Sequence, residues 1–290
     1  MRSRIVSVLL LSLLTLFAIA MIGCGKATDP TMDFTYPLAV GNHWEYSITY
    51  TATNIRGDSA AVVDALSGVS IGASDLDILY YDTLTEGIPS YVLVSSVEFG
   101  GGARVDSGYT YLNNEPDGLY IYASDQRFGI TLHKPGIPEY TLHHGSRSFA
   151  SFEDFLCQSA KEVPTMYAAD GNPPVYDVYY QTLAYPLAIG RNWTARTEDI
   201  YSFTNKSIIG FGDITVPAGT FSCYAVKSDL ILVDGLDYVT PSIRVDYYSS
   251  KGMIKRTITG YDLTIVSEDN TWIGTADITT EYKLTSFMLK

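Results

Sequence analysis

The sequence is poor in cysteine, histidine and basic residues, and each shortage removes a class of function. Three cysteines occur in 290 residues: Cys24, Cys157 and Cys223. None belongs to a C-x-x-C pair, so a redox motif is not indicated. The four histidines are His43, His133, His143 and His144. His143 and His144, with Glu139, form the one grouping that invites a metal argument. Neighbours on a strand point to opposite faces, unlike an i, i+4 pair on a helix, so no metal site is expected there. No Gly-x-Ser-x-Gly elbow is present, and no helix opening with Lys-Ser/Thr follows Gly100-Gly101-Gly102. Asp170-Gly171-Asn172 lacks the alternating acids of a calcium loop. Acids at 75, 77, 82 and 86 have spacings that meet across strands, but the sequence assigns them no chemistry. No cofactor and no catalytic residue are expected.

Positive charge is scarce too. Nineteen Lys and Arg face 32 Asp and Glu, a formal net charge of −13. That excludes nucleic acid as a partner, because such binding needs basic surface to displace counterions. It also excludes docking on anionic lipid through protein charge. Outside the first two dozen residues no stretch is long and apolar enough to cross a bilayer, so a soluble, tethered body is expected.

The N-terminus is the exception. Met1-Arg2-Ser3-Arg4 is short and basic, Ile5 to Ile22 is almost unbroken apolar sequence, and Gly23-Cys24 closes it. A basic start, an apolar core and a small residue before the cut describe a secretory leader. The segment Met21-Ile22-Gly23-Cys24 resembles the lipobox of bacterial lipoproteins, with Met21 where Leu is usual. The resemblance implies that residues 1–23 are a signal peptide cut before Cys24. It implies that Cys24 carries a diacylglyceryl thioether, and that the new N-terminus is acylated, as by palmitate. The readings left beside it are a transmembrane helix over Ile5 to Ile22 and a cleaved leader with an incidental Cys. Two or more acyl chains give stable anchoring where one does not. Residues 24–35 then form a short lipidated tether. Gly25 after the Cys, by resemblance to lipoproteins of double-membraned bacteria, implies the outer membrane. Removing residues 1–23 takes Arg2 and Arg4 and no acid, so the mature chain is more acidic still.

With Cys24 committed to lipid, Cys157 and Cys223 are left as a candidate disulfide, since an exported chain sits where disulfides persist. That link would close a long loop, worth at most about 4 kcal/mol. Two buried thiols packing as small hydrophobes are the alternative.

The body opens with an internal repeat. Tyr36-Pro37-Leu38-Ala39-Val40-Gly41-Asn42-His43-Trp44 is echoed by Tyr185-Pro186-Leu187-Ala188-Ile189-Gly190-Arg191-Asn192-Trp193. One echo is no solenoid; it divides the body into an N-terminal half, 36–175, and a C-terminal half, 176–290. Pro fixes the arriving chain, Gly permits a tight turn and Trp begins a strand, so both copies read as structural corners.

Strand-like runs follow each copy. In the first half they are Trp44 to Thr53, Leu76 to Leu84, Tyr91 to Phe99 and Arg104 to Leu112. The turn Asn113-Asn114-Glu115-Pro116-Asp117-Gly118 returns the chain as Leu119 to Tyr122, the clearest hairpin. Phe128 to His133 and Tyr140 to His144 are weaker. Residues 145–175 read as an insertion, with helical spacing at 149, 152, 155 and 156 predicting one short helix or a crossover over 149–161. In the second half the runs are Asp199 to Ile209, Ile214 to Val216, Phe221 to Val233, Leu236 to Tyr248, Met253 to Val266 and Thr271 to Leu289. Tight turns join them.

With Val216-Pro217-Ala218-Gly219-Thr220-Phe221, the mid-chain Asp117-Gly118-Leu119-Tyr120, both copies of Pro-Leu-x-x-Gly-x-x-Trp and Tyr247 to Arg256 together, the body resembles the TapB-like secreted lipoproteins of bacteria. That resemblance runs from about residue 36 to 290. It implies an all-β body and transfers no catalytic residue. The expected fold is therefore all-β: antiparallel sheets in a two-layer or partly open barrel arrangement, built from two related halves. The expected function is that of a non-enzymatic, lipid-anchored protein of the cell envelope that binds a protein partner or supports surface structure. The alternative is a carrier holding an apolar or glycan ligand in a curved sheet, which would need Tyr and Trp lining a concavity.

Overall fold

The computed structural model describes residues 34–67, 71–84, 87–99, 103–125, 140–144, 147–149, 155, 175–199, 202–234, 237–267 and 269–290. The elements of the first half are β1 (His43–Gly57), α1 (Ser59–Ser67), β2 (Ile71–Thr83), β3 (Pro89–Phe99), β4 (Ala103–Glu115), β5 (Gly118–Asp125), β6 (Tyr140–His144), β7 (Arg147–Phe149) and β8 (Val175–Ala184). Those of the second are β9 (Asn192–Asp199), β10 (Ser202–Val216), β11 (Gly219–Asp234), β12 (Asp237–Ser249), β13 (Gly252–Ser267) and β14 (Trp272–Met288).

All strands belong to one antiparallel sheet, and its path runs β8-β5-β4-β3-β2-β1-β14-β13-β12-β11-β10-β9. The sheet curls into a nearly closed barrel, so the all-β expectation holds. Two six-stranded meanders lie in tandem along this path, and β1 corresponds to β9 as β8 does to β14. Topologically the halves meet at 185–191, where the second motif copy stands.

The two motif copies build the same corner. Asn42 N–H donates to Ala39 O (3.0 Å), and Arg191 N–H donates to Ala188 O (3.1 Å). The third residue of each turn is a glycine in the left-handed region, Gly41 at φ 89° and Gly190 at φ 86°. A side chain there would be strained. Each corner then docks on the second strand after it, the first on β2 and the second on β10. Gly41 N–H donates to Ile78 O and Ile78 N–H to Asn42 O (2.8 and 2.9 Å); Gly190 pairs with Ile208, and Ile208 with Arg191, at the same distances. A β-bulge follows each docking isoleucine, between Ile78 and Tyr80 and between Ile208 and Gly210.

The halves are joined unequally. β1 and β14 make a ladder from His43↔Met288 to Gly57↔Gly274. The equivalent joint, between the path's end strands β8 and β9, is bridged by side chains. Trp193 Nε1 donates to Gln181 O (3.0 Å), and Lys206 Nζ donates to Thr182 O (3.1 Å) while lying 4.9 Å from the Tyr180 ring centroid.

Alternation decides what fills the barrel. On β1, Trp44, Tyr46 and Ile48 are buried; on β14, the even positions from Gly274 to Leu284 are. Large aromatics supply much of the interior, with Trp44, Tyr46, Tyr180 and Tyr224 among the most completely buried side chains. Trp44 Nε1 donates to Lys251 O (2.6 Å), and Tyr46 Oη donates to Met253 O (2.9 Å), so both satisfy their polar ends. A Cβ at Gly252 would lie 2.9 Å from Trp44 Nε1, which reserves that position for glycine.

The arriving chain straps one end of the barrel. Phe34 and Tyr36 are buried there. Tyr36 N–H donates to Tyr185 Oη (2.9 Å), Tyr185 Oη donates to Asn114 Oδ1 (2.6 Å), and Asn114 Nδ2 donates back to Tyr36 O (2.9 Å). Burial pushes the Tyr185 phenol up to about 12 against the lowering pull of the Tyr36 N–H, so it remains a donor. The turn after β10 folds over the same end, with Ala218 N–H donating to Leu284 O (3.1 Å).

Several elements differ from the sequence reading. Helix α1, at Ser59–Ser67, is one the reading left out. Asp58 Oδ1 caps it by accepting from Ala60 and Ala61 N–H (3.1 Å each), and Val62 and Leu66 bury its apolar side. Of the short helix or crossover expected over 149–161, Phe149 ends β7 and Phe155 is helical and buried, in line with that expectation; the other residues lie outside the described ones, as does Phe128 to His133. β6 extends the sheet from the middle of the chain by pairing with β13 at Thr264–Ser267. Of the run Asp199 to Ile209, Asp199 ends β9, while Ser202 to Ile209 and Ile214 to Val216 form one strand, β10, bent by the bulge before Gly210 rather than broken.

The unequal joints give a measurable asymmetry. In native-state hydrogen exchange, amides of β8 and β9 should open at lower free energy than those of β1 and β14. Lys206→Met should lower protection at β8 and β9 first. Equal loss across both joints would contradict the seam described here.

Candidate functional site

Cys24 lies outside the described residues, so the site suggested most strongly by sequence is defined by sequence alone. Phe34 is ten residues further on, and the barrel end it straps is where any tether meets the body.

Cys223 is a free thiol, buried on β11, with Sγ 3.3 Å from Phe221 O. Burial, and then the charge of Asp213, push it up to about 12, so it is an unreactive thiol at neutral pH. Cys157, its candidate disulfide partner, lies outside the described residues. His143 and His144 point to opposite faces of β6. His143 Nδ1 lies 2.8 Å from Ser148 Oγ, and His144 is buried edge-on to Phe155 at 5.8 Å between centroids.

The side chains that do converge come from β1 and β2. Register places His43 opposite Asp77 and Glu45 opposite Asp75. His43 Nδ1 donates to Asp77 Oδ1 (2.6 Å), which fixes the imidazole and turns Nε2 toward Glu45 Oε1, 3.3 Å away. Burial works to lower the His43 pKa. Hydrogen bonds to Asp77 and Glu45, with the charges of Asp77 and Asp75, outweigh it and raise the value above 6.5. His43, Glu45 and Asp75 each bring a ligand atom within 4.8 Å of the others, the spacing a divalent cation needs. Asp77 would stand behind His43 as the orienting carboxylate. The sequence offered a signal: two i, i+2 pairs, His43-x-Glu45 and Asp75-x-Asp77, each on one face of a strand. What it withheld was the register that brings them together.

A second polar group lies inside the barrel. Asp246, 1 % exposed, accepts from Arg256 Nε (2.6 Å) and Nη2 (3.1 Å) and lies 3.2 Å from Arg244 Nε. Tyr248 Oη donates to its Oδ2 (3.3 Å). These residues share the inward face with Ile254 and Ile258. They brace β12 against β13.

No family model matches the chain, and no curated relative does. The TapB-like resemblance therefore rests on its motifs alone. Two solved structures are similar at low score. One is a candidate exported protein with YmcC-like fold from Bacteroides fragilis, 10 % identical, covering 88 % of this chain and 99 % of its own at a TM-score of 0.38. The other is a candidate lipoprotein from Parabacteroides distasonis, 15 % identical, covering 89 % and 100 % at 0.32.

Asp246→Asn should destabilise the protein by about 3–5 kcal/mol, because it strands buried guanidinium groups. Urea unfolding should show a lower midpoint at unchanged slope. His43→Gln should have a smaller effect, at most about 1 kcal/mol, and a pH-dependent one. Because the folded pKa is raised, the stabilisation is fully present below about pH 6.5 and fades as pH rises through the folded value. Wild-type and variant unfolding midpoints should thus differ at pH 5.5 and converge at high pH.

Proposed function

We propose that this is a non-enzymatic, lipid-anchored protein of the cell envelope, held through Cys24 and presenting an acidic β-barrel to a protein partner or to the surface structure it supports. The observation that carries the reading is the leader with its lipobox, followed by a body without a second apolar segment of spanning length. The net charge of −13 agrees with it, since such a surface gives little attraction to anionic lipid and leaves the holding to acyl chains. Gly25 favours the outer membrane.

The carrier alternative requires Tyr and Trp to line an open concavity. Trp44, Tyr46, Tyr180, Tyr224 and Tyr248 instead pack within the barrel's hydrophobic core, which favours the partner-binding reading.

Cys24→Ala should leave the protein unprocessed or release it from the membrane fraction. Mass spectrometry should find a diacylglyceryl-modified, acylated Cys24 at the mature N-terminus. An unmodified and uncleaved N-terminus in the wild type would sink the proposal. Crosslinking in the native envelope separates the two functions: lipid or glycan co-purifying without a protein partner would favour the carrier.

A further inference from the structure

We propose that the strapped end of the barrel is a bilayer-contact face. In it, two equivalent pairs of aliphatic side chains, Val40 with Leu79 and Ile189 with Ile209, rest in the interfacial layer of the membrane that holds the acyl chains of Cys24. The inference rests on the lipid-anchor reading and adds an orientation and a docking surface to it.

The pairs are equivalent by construction. Val40 and Ile189 are the second residues of the two corner turns; Leu79 and Ile209 are the bulge residues beside them. Their exposures are 48 % and 49 % in one pair and 47 % and 52 % in the other. An exposed β-branched aliphatic at a turn tip is unusual, since such positions favour Pro, Asn, Asp, Ser or Gly. Here it occurs twice, with a second exposed aliphatic beside it each time. Along the barrel path the corners lie six strands apart, on opposite sides of one end. Tyr80 and Tyr81 on β2 and Met288 on β14 are also exposed toward this end.

Each corner carries a cation. Lys290 lies against Gly41, its Cε 3.4 Å from where a Cβ would stand, and Arg191 follows Gly190, its Nη1 donating to Pro186 O (3.2 Å). Aliphatic side chains beside a Lys or Arg suit the boundary between acyl chains and phosphate headgroups.

The tether selects the occupant. Between Cys24 and Phe34 the chain spans ten residues, at most about 33–36 Å when fully extended. Phe34 is fixed at this end by its edge-on contact with Tyr185, 5.8 Å between centroids. The strands reach 15 to 17 residues, roughly 50 Å at about 3.3 Å per residue, so the opposite end stands free of the anchor's reach in an upright barrel. The corners are therefore held where lipid is the nearest apolar phase.

The test is hydroxyl-radical footprinting of the processed, lipidated protein on vesicles of phosphatidylethanolamine and phosphatidylglycerol, compared with the Cys24→Ala form in solution. Peptides carrying Val40, Leu79, Ile189 and Ile209 should oxidise about threefold or more slowly on vesicles, as expected for side chains in the interfacial layer. Tyr261 and Trp272, exposed toward the opposite end, should be unchanged. Val40→Asp with Ile189→Asp should keep the lipidated protein co-floating with vesicles but abolish the protection. Equal oxidation in the two states, on protein that does co-float, overturns the proposal and leaves the anchor reading standing. Wild-type protein that fails to co-float overturns both. Protection that arises only when envelope extract is added assigns the corners to a protein partner and overturns the bilayer assignment.

Discussion

A sheet of this many strands twists into a ring, and the structure depends on how its two joints are made. The first strand of the body pairs with the last along nearly the whole of β1 and β14, which ties the N-terminal half to the C-terminal half by backbone hydrogen bonds. The equivalent joint has no such ladder in the sheet path. There the amide carbonyls of Gln181 and Thr182 receive an indole and an ammonium group instead. A closed ring leaves no edge for another chain to extend, and an unprotected edge is a template for aggregation. Side-chain bridging holds the two ends of the sheet together and so removes most of that hazard.

This choice imposes charge on the interior. Lys206 must be inside to reach Thr182, and it is 2 % exposed. Its stem packs among apolar neighbours, and its head is satisfied by a carbonyl and a ring face. Asp246 with Arg244 and Arg256 solves a related problem one layer away. Long side chains with paired ends share the interior with tyrosines and Trp44. Such groups contribute little net stability relative to apolar ones, yet removing a single partner is costly. They fix the register of β12 against β13, where the bulge between Tyr247 and Tyr248 would otherwise allow a slip.

Much of the fold was legible because strands carry their periodicity openly. The alternation through Trp44, Tyr46 and Ile48, the turn at Asn113 to Gly118 and the echo of Tyr36 to Trp44 in Tyr185 to Trp193 are local signals, and local structure follows them. What was hidden is long-range. The pairing of β1 with β14 joins residues more than 200 apart, and nothing in either strand names the other. Helix α1 was overlooked although Asp58 and the Val62–Leu66 spacing announce it, because its nine residues fall between two strong strands. Arg244-x-Asp246-x-Tyr248 was also readable: charged residues at inward positions of an alternating strand imply a buried pair. The cluster at His43 was half legible. Its acids were noticed at 75 and 77, but the register that sets His43 against Asp77 belongs to the folded sheet.

The repeat acquires a sharper meaning when the two copies are compared in space. Both corners dock on an isoleucine before a bulge, yet the first is preceded by the strap at Phe34 to Tyr36 and the second by β8. The first copy's Tyr36 is held by Tyr185, the matching residue of the second copy, so each copy depends on the other. Load applied from the N-terminal side would arrive first at Phe34 and Tyr36. It would then spread through Tyr185 and Asn114 into β8 and the β4–β5 hairpin, before reaching β1. The strap thus spreads tension arriving from the N-terminal side before it reaches the β1–β14 ladder. It does so at the end where the seam between β8 and β9 is pinned by Trp193. The point where the chain enters the barrel is thereby tied to several strands at once. A tyrosine hydroxyl shared between the two halves provides that connection with three hydrogen bonds.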